Sequence, residues 1–424
     1  MKDILQFFTV RVGDGSGCLF QPMEGDYSYV LTAKHVVEGL EDIVIIRQHI
    51  KENGNVKDEV LEMIGQAFLH TDPNKDAAII KVKKVDDIDL LLRADLSMEG
   101  REDWYLCGHP EARTDGNFSY RKNRLTIENP VEFYFEGEIE KAVTHSEIVG
   151  QSGGGIIKRE NSCFLLAGIQ KKMAVKDDVE SISRIHFAPL CFFDEIVEAN
   201  PGALSPLFPP YIGRFNVLLQ EIFPFDSLII KKDLIRNTLL TISKSICEGI
   251  CPDMIIKEYK GNFLVQGTPE HILYHRSLWK CMLEFFTIIK LYEETVDLGD
   301  FESIHKKRKM LIVDTDIWTK KLEEIYKSDL SEIEKGGSIV ICATEEKVPS
   351  VQEITEDLLR ILPDISIPLD EMNISNTVEN PFVDLKLVNI FKFQHYIINN
   401  AIQLVDINGV NSKRTIKELT DGII

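Results

Sequence analysis

Gly150-Gln151-Ser152-Gly153-Gly154-Gly155 is the stretch on which the reading of this chain depends. A serine set among glycines and followed by the apolar pair Ile156-Ile157 reads as a nucleophile presented on a tight turn ahead of a strand. Small residues let another backbone come close, and successive N–H groups can converge on one oxygen. The same string also fits a plain hairpin loop. Its meaning therefore rests on whether the chain supplies a base and an orienting carboxylate elsewhere.

The rest of the first half supplies a β-rich setting. Strands are expected at Leu5–Val12, Cys18–Phe20, Tyr27–Ala33, Asp42–Arg47, Val60–Leu69, Ala77–Val82 and Trp104–Cys107. Further strands are expected at Leu125–Phe135, Gly155–Lys158, Phe164–Gln170 and Arg184–Ala188. Many short runs without helical periodicity predict a barrel or sandwich. Two places here carry further chemistry. Thr32-Ala33-Lys34-His35 puts a histidine just after a strand, a position usually structural when met alone. Asp76 stands at the mouth of the strand Ala77-Ala78-Ile79-Ile80, with Asp72 four residues earlier as the alternative acid. A serine hydroxyl needs a neutral imidazole to take its proton, and the imidazole needs a buried carboxylate to fix its tautomer. His35, Asp76 and Ser152 supply these three groups in that chain order.

With those residues in place, residues 1 to about 198 resemble a trypsin-like, chymotrypsin-fold serine peptidase, closest to its compact bacterial and high-temperature-requirement branches. The resemblance is carried by Thr32-Ala33-Lys34-His35, Asp76-Ala77-Ala78-Ile79 and Gly150–Gly154. Gly15-Ser16-Gly17-Cys18, Leu166-Ala167-Gly168-Ile169 and Phe187-Ala188-Pro189-Leu190 add to it. It implies an all-β double barrel in which His35 is general base and then acid, Asp76 its orienter and Ser152 the nucleophile. The backbone N–H groups of Gly150 and Ser152 would form the oxyanion hole. Secreted digestive members carry an aspartate before the serine, which pairs with an N-terminus freed by activation cleavage. Gln151 stands there instead, and the first strand follows Met1 almost at once, so no such activation step is expected. By the same resemblance Ser146 would floor the substrate pocket and His186 could face it; His145 and His109 receive no role.

Composition bounds the rest. The 424 residues are enough for two or three domains, and 44% hydrophobic with 27% charged is the make-up of an ordinary soluble protein. No run approaches the ~20 apolar residues of a membrane helix, and no secretory signal is read at the N-terminus. The eight cysteines are scattered, so free thiols in a cytoplasmic protein are expected. Cys247-x3-Cys251 has no second pair to complete a zinc site, and no metal or cofactor is expected. A net charge of −20, spread over both halves, disfavours nucleic acid as a partner.

The helix Asp194–Ala199 reads as the end of a peptidase domain spanning 1–199. Residues 200–210, with Pro201, Pro206, Pro209 and Pro210, read as a stiff connector. From 211 to 424 the periodicity becomes helical. Helices are expected at Leu228–Ile246, His271–Tyr292, Ile317–Tyr326 and Val351–Leu362, and strands at Met310–Val313 and Ser338–Ala343. Tyr274, Leu278, Cys281, Phe285, Ile289 and Tyr292 form one apolar stripe. No phosphate-binding motif accompanies the alternation, and no family is recognisable there. The expected fold class is multidomain: an all-β chymotrypsin-like double barrel followed by a mostly helical α+β domain that binds a protein partner, senses a signal or makes an oligomer contact. The expected activity is that of an intracellular serine endopeptidase acting on protein or peptide substrates. Its layout resembles that of bacterial conflict-system proteases. A quality-control protease of unfolded chains and a non-catalytic peptide-binding module are the alternatives.

Overall fold

The computed structural model describes residues 4–50, 56–86, 88, 90–96, 100–111, 119–141, 148–160, 163–176, 179–225, 228, 230–259, 262–313, 315, 318–330, 332–334, 336–343, 386–390 and 392–421. They form two compact units, Met1–Pro210 and Tyr211–Ile424.

The described residues of the first unit hold fourteen strands in two sheets. β1 (Thr9–Val12), β2 (Gly15–Phe20), β3 (Tyr27–Thr32), β4 (Ile45–Ile50), β5 (Val56–Val60), β6 (Phe68–Leu69) and β7 (Ala78–Lys83) pair in the order β5-β4-β1-β2-β3-β7-β6. The second sheet contains β8 (Leu91–Arg93), β9 (Trp104–Gly108), β10 (Arg121–Val131), β11 (Tyr134–Ile139), β12 (Gly155–Glu160), β13 (Cys163–Lys176) and β14 (Val179–Pro189). Its order is β12-β9-β10-β11-β14-β13-β8, and a β12–β13 pairing closes six of the strands into a barrel. Closure leaves those six without a free edge. One apolar core joins the sheets: Val30, Leu31 and Ile79 from the first meet Leu166, Ile169 and Ala188 from the second. The helix α2 (Cys191–Ala199) covers this core with Phe192, Phe193 and Ile196, after the single-turn α1 (Lys34–Val37) earlier in the chain.

Several boundaries differ from the sequence expectation, each for a local reason. Residues Ile4–Phe8 form a 3-10 turn rather than the start of a strand; the Thr9 hydroxyl donates to the Leu5 carbonyl at 3.2 Å and holds the turn. The run Val60–Leu69 is interrupted, with Gly65 in the left-handed region at φ +74°. Leu125–Phe135 is two strands of a hairpin, reversed where Glu132 adopts φ +56°. The proline-rich segment 200–210 packs on the first sheet. Leu204 and Leu207 enter the core, and Ser205 N–H donates to the Tyr29 hydroxyl oxygen at 2.6 Å.

The second unit is mostly helical. Among the described residues its helices longer than a single turn are α3 (Lys232–Cys247), α4 (Pro252–Tyr259), α5 (Arg276–Tyr292), α6 (Phe301–Lys307), α7 (Leu322–Lys327), α8 (Lys392–Asn399) and α9 (Ser412–Leu419). They accompany a parallel sheet of β15 (Arg308–Val313), β16 (Ser338–Ala343) and β17 (Lys386–Asn389). α5 carries the expected stripe from Leu278 onward, Tyr274 lying before it, but Trp279, Leu283, Phe286 and Ile288 are buried too, so the helix is enclosed on most of its faces. It begins later than expected because the His275 side chain caps it, accepting the Ser277 N–H at 3.3 Å, and Glu270–Tyr274 is a separate 3-10 turn. α3 likewise begins at Lys232, after Lys231 in the left-handed region at φ +54°. The expected helix at 317–326 is a 3-10 turn, Trp318–Lys321, followed by α7, and the one at 351–362 lies outside the described residues.

Candidate active site

The register of two neighbouring strands places the histidine and the acid. β3 ends and β7 begins at the pair Thr32↔Ala78. His35, just beyond one, and Asp76, just before the other, therefore leave the sheet at the same end although they are far apart in sequence. Asp76 Oδ1 accepts the His35 backbone N–H at 2.9 Å and Oδ2 meets His35 Nδ1 at 2.7 Å. Burial alone would push the Asp76 carboxyl up; the hydrogen bond from the His35 ring, the His35 charge and backbone N–H, and then Lys171 outweigh it and hold the carboxyl below its ordinary value. An ionised carboxylate offers only acceptors, so the shared proton is assigned to Nδ1, which leaves the Nε2 lone pair of a neutral ring free to accept. The His35 side chain is 49% exposed and that of Asp76 12%, as suits a base that must meet a substrate and an acid that need not. Asp72 does not reach His35: its carboxylate caps a turn, accepting Asn74 N–H at 2.8 Å.

The serine turn is fixed carbonyl by carbonyl. Glu111 N–H donates to Val149 O at 2.7 Å, Ser16 Oγ to Gly150 O at 2.7 Å, Gly154 N–H to Gln151 O at 2.8 Å and Ser16 N–H to Ser152 O at 2.8 Å. In a trans peptide the N–H points opposite to its C=O. The holds on Val149 O and Gln151 O thus aim the N–H groups of Gly150 and Ser152 away from the partners that hold them. Among the described residues neither N–H has an acceptor of its own. Gly150 and Gly153 adopt φ +88° and +90°, and a Cβ on Gly153 would overlap Ser16 O and Thr32 Oγ1, so glycine is required at both places.

Side chains from distant parts of the chain support this turn. The Ser16 hydroxyl accepts His109 N–H at 2.8 Å while donating to Gly150, and His109 Nδ1 meets Ser119 Oγ at 2.8 Å. Burial, then the Arg11 charge, lower the His109 imidazole to about 4, so it is a neutral member of the network. Behind Asp76, the Tyr134 hydroxyl oxygen accepts Asp76 N–H at 3.0 Å and the hydroxyl donates to the Asn74 carbonyl. The loop that carries Asp76 is tied to α2: Glu195 meets His70 Nε2 at 2.9 Å and Lys75 Nζ at 2.6 Å. Only Ser16 lay within a motif read from sequence. The others are long-range pairs with no local signature.

The remaining site residues fall out differently. Ser152 Oγ donates to the Lys171 carbonyl at 3.0 Å and makes no hydrogen bond to His35. Gln151 is fully buried and its Oε1 accepts Asn123 Nδ2 at 3.3 Å, an amide partner for a neutral side chain. His186 Nε2 lies 3.5 Å from Glu136, directly across the β11–β14 ladder. Ser146 and His145 lie outside the described residues. Among the described residues no group of three His, Cys, Asp or Glu is placed to hold a metal, and all eight cysteines are free thiols. No helix among them is long and apolar enough to cross a membrane.

Comparison with known proteins gives families for both halves. Residues 187–399 match the model of C-terminal domain 4 of the ABC-three component (ABC-3C) systems, half of the chain. The chain belongs to this family. The chain also matches the trypsin-like peptidase domain over residues 15–164. Its first unit is thus a trypsin-like peptidase domain of chymotrypsin-like fold, followed by a helical domain. No curated protein matches the chain. Among solved structures, kallikrein-related peptidase 10 aligns with a TM-score of 0.33 and 15% identity, covering 46% of this chain and 95% of that one.

Proposed function

We propose that this protein is an intracellular serine endopeptidase of a defence-type system, acting on specific protein targets under the control of its C-terminal domain. The observation that carries the reading is the double hydrogen bond of His35 to a carboxylate held ionised, at the same strand ends as a serine turn whose peptides are all held. Ser152 Oγ attacks the scissile carbonyl carbon while its proton passes to His35 Nε2. The oxyanion is received by the N–H groups of Gly150 and Ser152. The imidazolium then protonates the leaving amine, the C–N bond breaks, and an acyl ester remains on Ser152. Water, deprotonated by His35, attacks the ester, returns the hydroxyl to Ser152 and releases the acid. The hydroxyl first leaves the Lys171 carbonyl by rotating about χ1, and catalytic hydrogen bonds commonly tighten only once substrate is bound.

Eight free cysteines support a reducing compartment. The domain match to a three-component system supports partner proteins for the second unit, and with them a regulated rather than a housekeeping peptidase. Labelling by a fluorophosphonate serine-hydrolase probe tests the chemistry: wild type is labelled and Ser152→Ala is not. Ser152 held on Lys171 is the observation that favours a peptide-binding module without catalysis. Absence of label with and without the other components of the system selects that second reading. Addition of those components tests the control, with faster labelling expected in their presence.

A further inference from the structure

Lys171 meets Ser152 through its carbonyl and Tyr134, the partner of the Asp76 backbone, through its ammonium. It follows Gln170 on β13, where the ladder with β14 slips between Gln170 and Lys172, so it sits at an irregularity in the strand. Its carbonyl accepts the Ser152 hydroxyl at 3.0 Å. Its ammonium stands 3.8 Å from the centroid of the Tyr134 ring, an ordinary cation–π seat. The oxygen of that same tyrosine accepts Asp76 N–H at 3.0 Å. The ammonium thus sits on the face of a ring whose hydroxyl meets the Asp76 backbone, and the Lys171 charge adds to the influences that lower the Asp76 carboxyl.

The other charged groups nearby are committed elsewhere. Lys75 and His70 hold Glu195, Lys34 donates to the His70 carbonyl at 3.1 Å and meets Glu38 at 3.6 Å, and Asp72 accepts Asn74 N–H. Among the described residues, the titratable groups that contact Asp76 or act on its carboxyl are His35, Tyr134 and Lys171.

Resting on the peptidase reading above, we propose that Lys171 is a positioning residue for the His35–Asp76 pair. Its ammonium, seated on Tyr134, offsets part of the carboxylate's charge and so weakens the carboxylate's grip on the imidazole proton. An orienting acid both fixes the ring and stabilises the imidazolium. A cation seated on the tyrosine behind that acid leaves the orientation intact but disfavours a further positive charge on the ring. The site then stays ready as a base at lower pH, at the expense of pull on the serine proton.

The test uses the full chain with isotope-labelled histidines, the His35 ring resonance being identified by its loss in His35→Ala. His35 titration and the pH dependence of fluorophosphonate labelling are measured for wild type, Lys171→Met and Lys171→Arg. Removing the cation is expected to raise the His35 titration midpoint by about 0.5 to 1 pH unit, with the acidic limb of the labelling profile following it. Lys171→Arg, which keeps the charge, is expected to leave both in place. An unmoved midpoint in folded Lys171→Met, or an equal shift in Lys171→Arg, overturns the proposal; Lys171→Gln replaces the methionine variant if that does not fold. A moved midpoint without any labelling supports Lys171 and overturns the peptidase reading. Labelling with an unmoved midpoint does the reverse.

Discussion

Asp76 in the first unit and Glu284 in the second are both withdrawn from water, yet their carboxyls shift in opposite directions. Asp76 faces a histidine ring and a lysine, and these outweigh the cost of burial. Glu284, on α5, is 4% exposed; burial pushes it up to about 7 against the hydrogen bond it accepts from Phe223 N–H at 2.6 Å, the Lys280 charge, and the hydrogen bond from Gln394 Nε2 at 2.8 Å. One carboxylate is kept ionised by the hydrogen bonds of a histidine on α1 and, to a smaller degree, by a lysine on β13, which together outweigh burial. The other holds the Phe223 backbone and α8 to α5 with neutral donors, and takes up its proton near neutrality. The difference separates a carboxylate placed to act on a neighbour from one placed to tie helices together.

The comparison breaks most readily at Asp76. Asp76→Asn keeps the size but presents a wrong partner to Nδ1, and the probe-labelling rate is expected to fall by roughly 10⁴-fold with the fold intact. A loss within about tenfold would mean that the carboxylate does not orient His35. Next in size is the turn that the acid serves. Gly153→Ala puts a Cβ onto Ser16 O and Thr32 Oγ1 at φ +90°, and is expected to destabilise the first unit by about 4 kcal/mol in urea unfolding. A change below about 1 kcal/mol would show that the turn relaxes freely.

The smallest effect sharpens the other side of the contrast. Because the folded Glu284 holds its proton more tightly than the unfolded chain does, its contribution is complete below the ordinary glutamate range and is lost as pH rises through about 7. Hydrogen exchange of the α5 amides should therefore report a loss of ~3 kcal/mol between pH 5 and pH 8, largely absent in Glu284→Gln. Asp76 has the reverse sign: its contribution is present above the ordinary aspartate range and is lost as pH falls through its lowered folded value. Equal slopes in wild type and Glu284→Gln would remove the distinction.

How much of this was legible beforehand follows from the range of each interaction. His35, Asp76 and Ser152 lie in short local patterns, a strand end or a glycine turn, and the structure brings the first two into contact. The Leu125–Phe135 run hid a hairpin because Glu132 and Phe133 are not turn-type residues. Lys171 sat in an unremarkable lysine pair; its meaning comes from Tyr134 on another strand. Glu284 looked like one polar residue on an amphipathic helix, because a single stripe gives no sign that α5 is enclosed on its other faces. The orientation of the Ser152 hydroxyl is a torsion angle that no sequence pattern encodes.

Fluorophosphonate labelling of the full chain, with Ser152→Ala beside it, tests the central claim most directly. Covalent label is expected on Ser152 in wild type, with or without the partner components, and none on the variant. Equal labelling of both, or none on wild type under either condition, would contradict it.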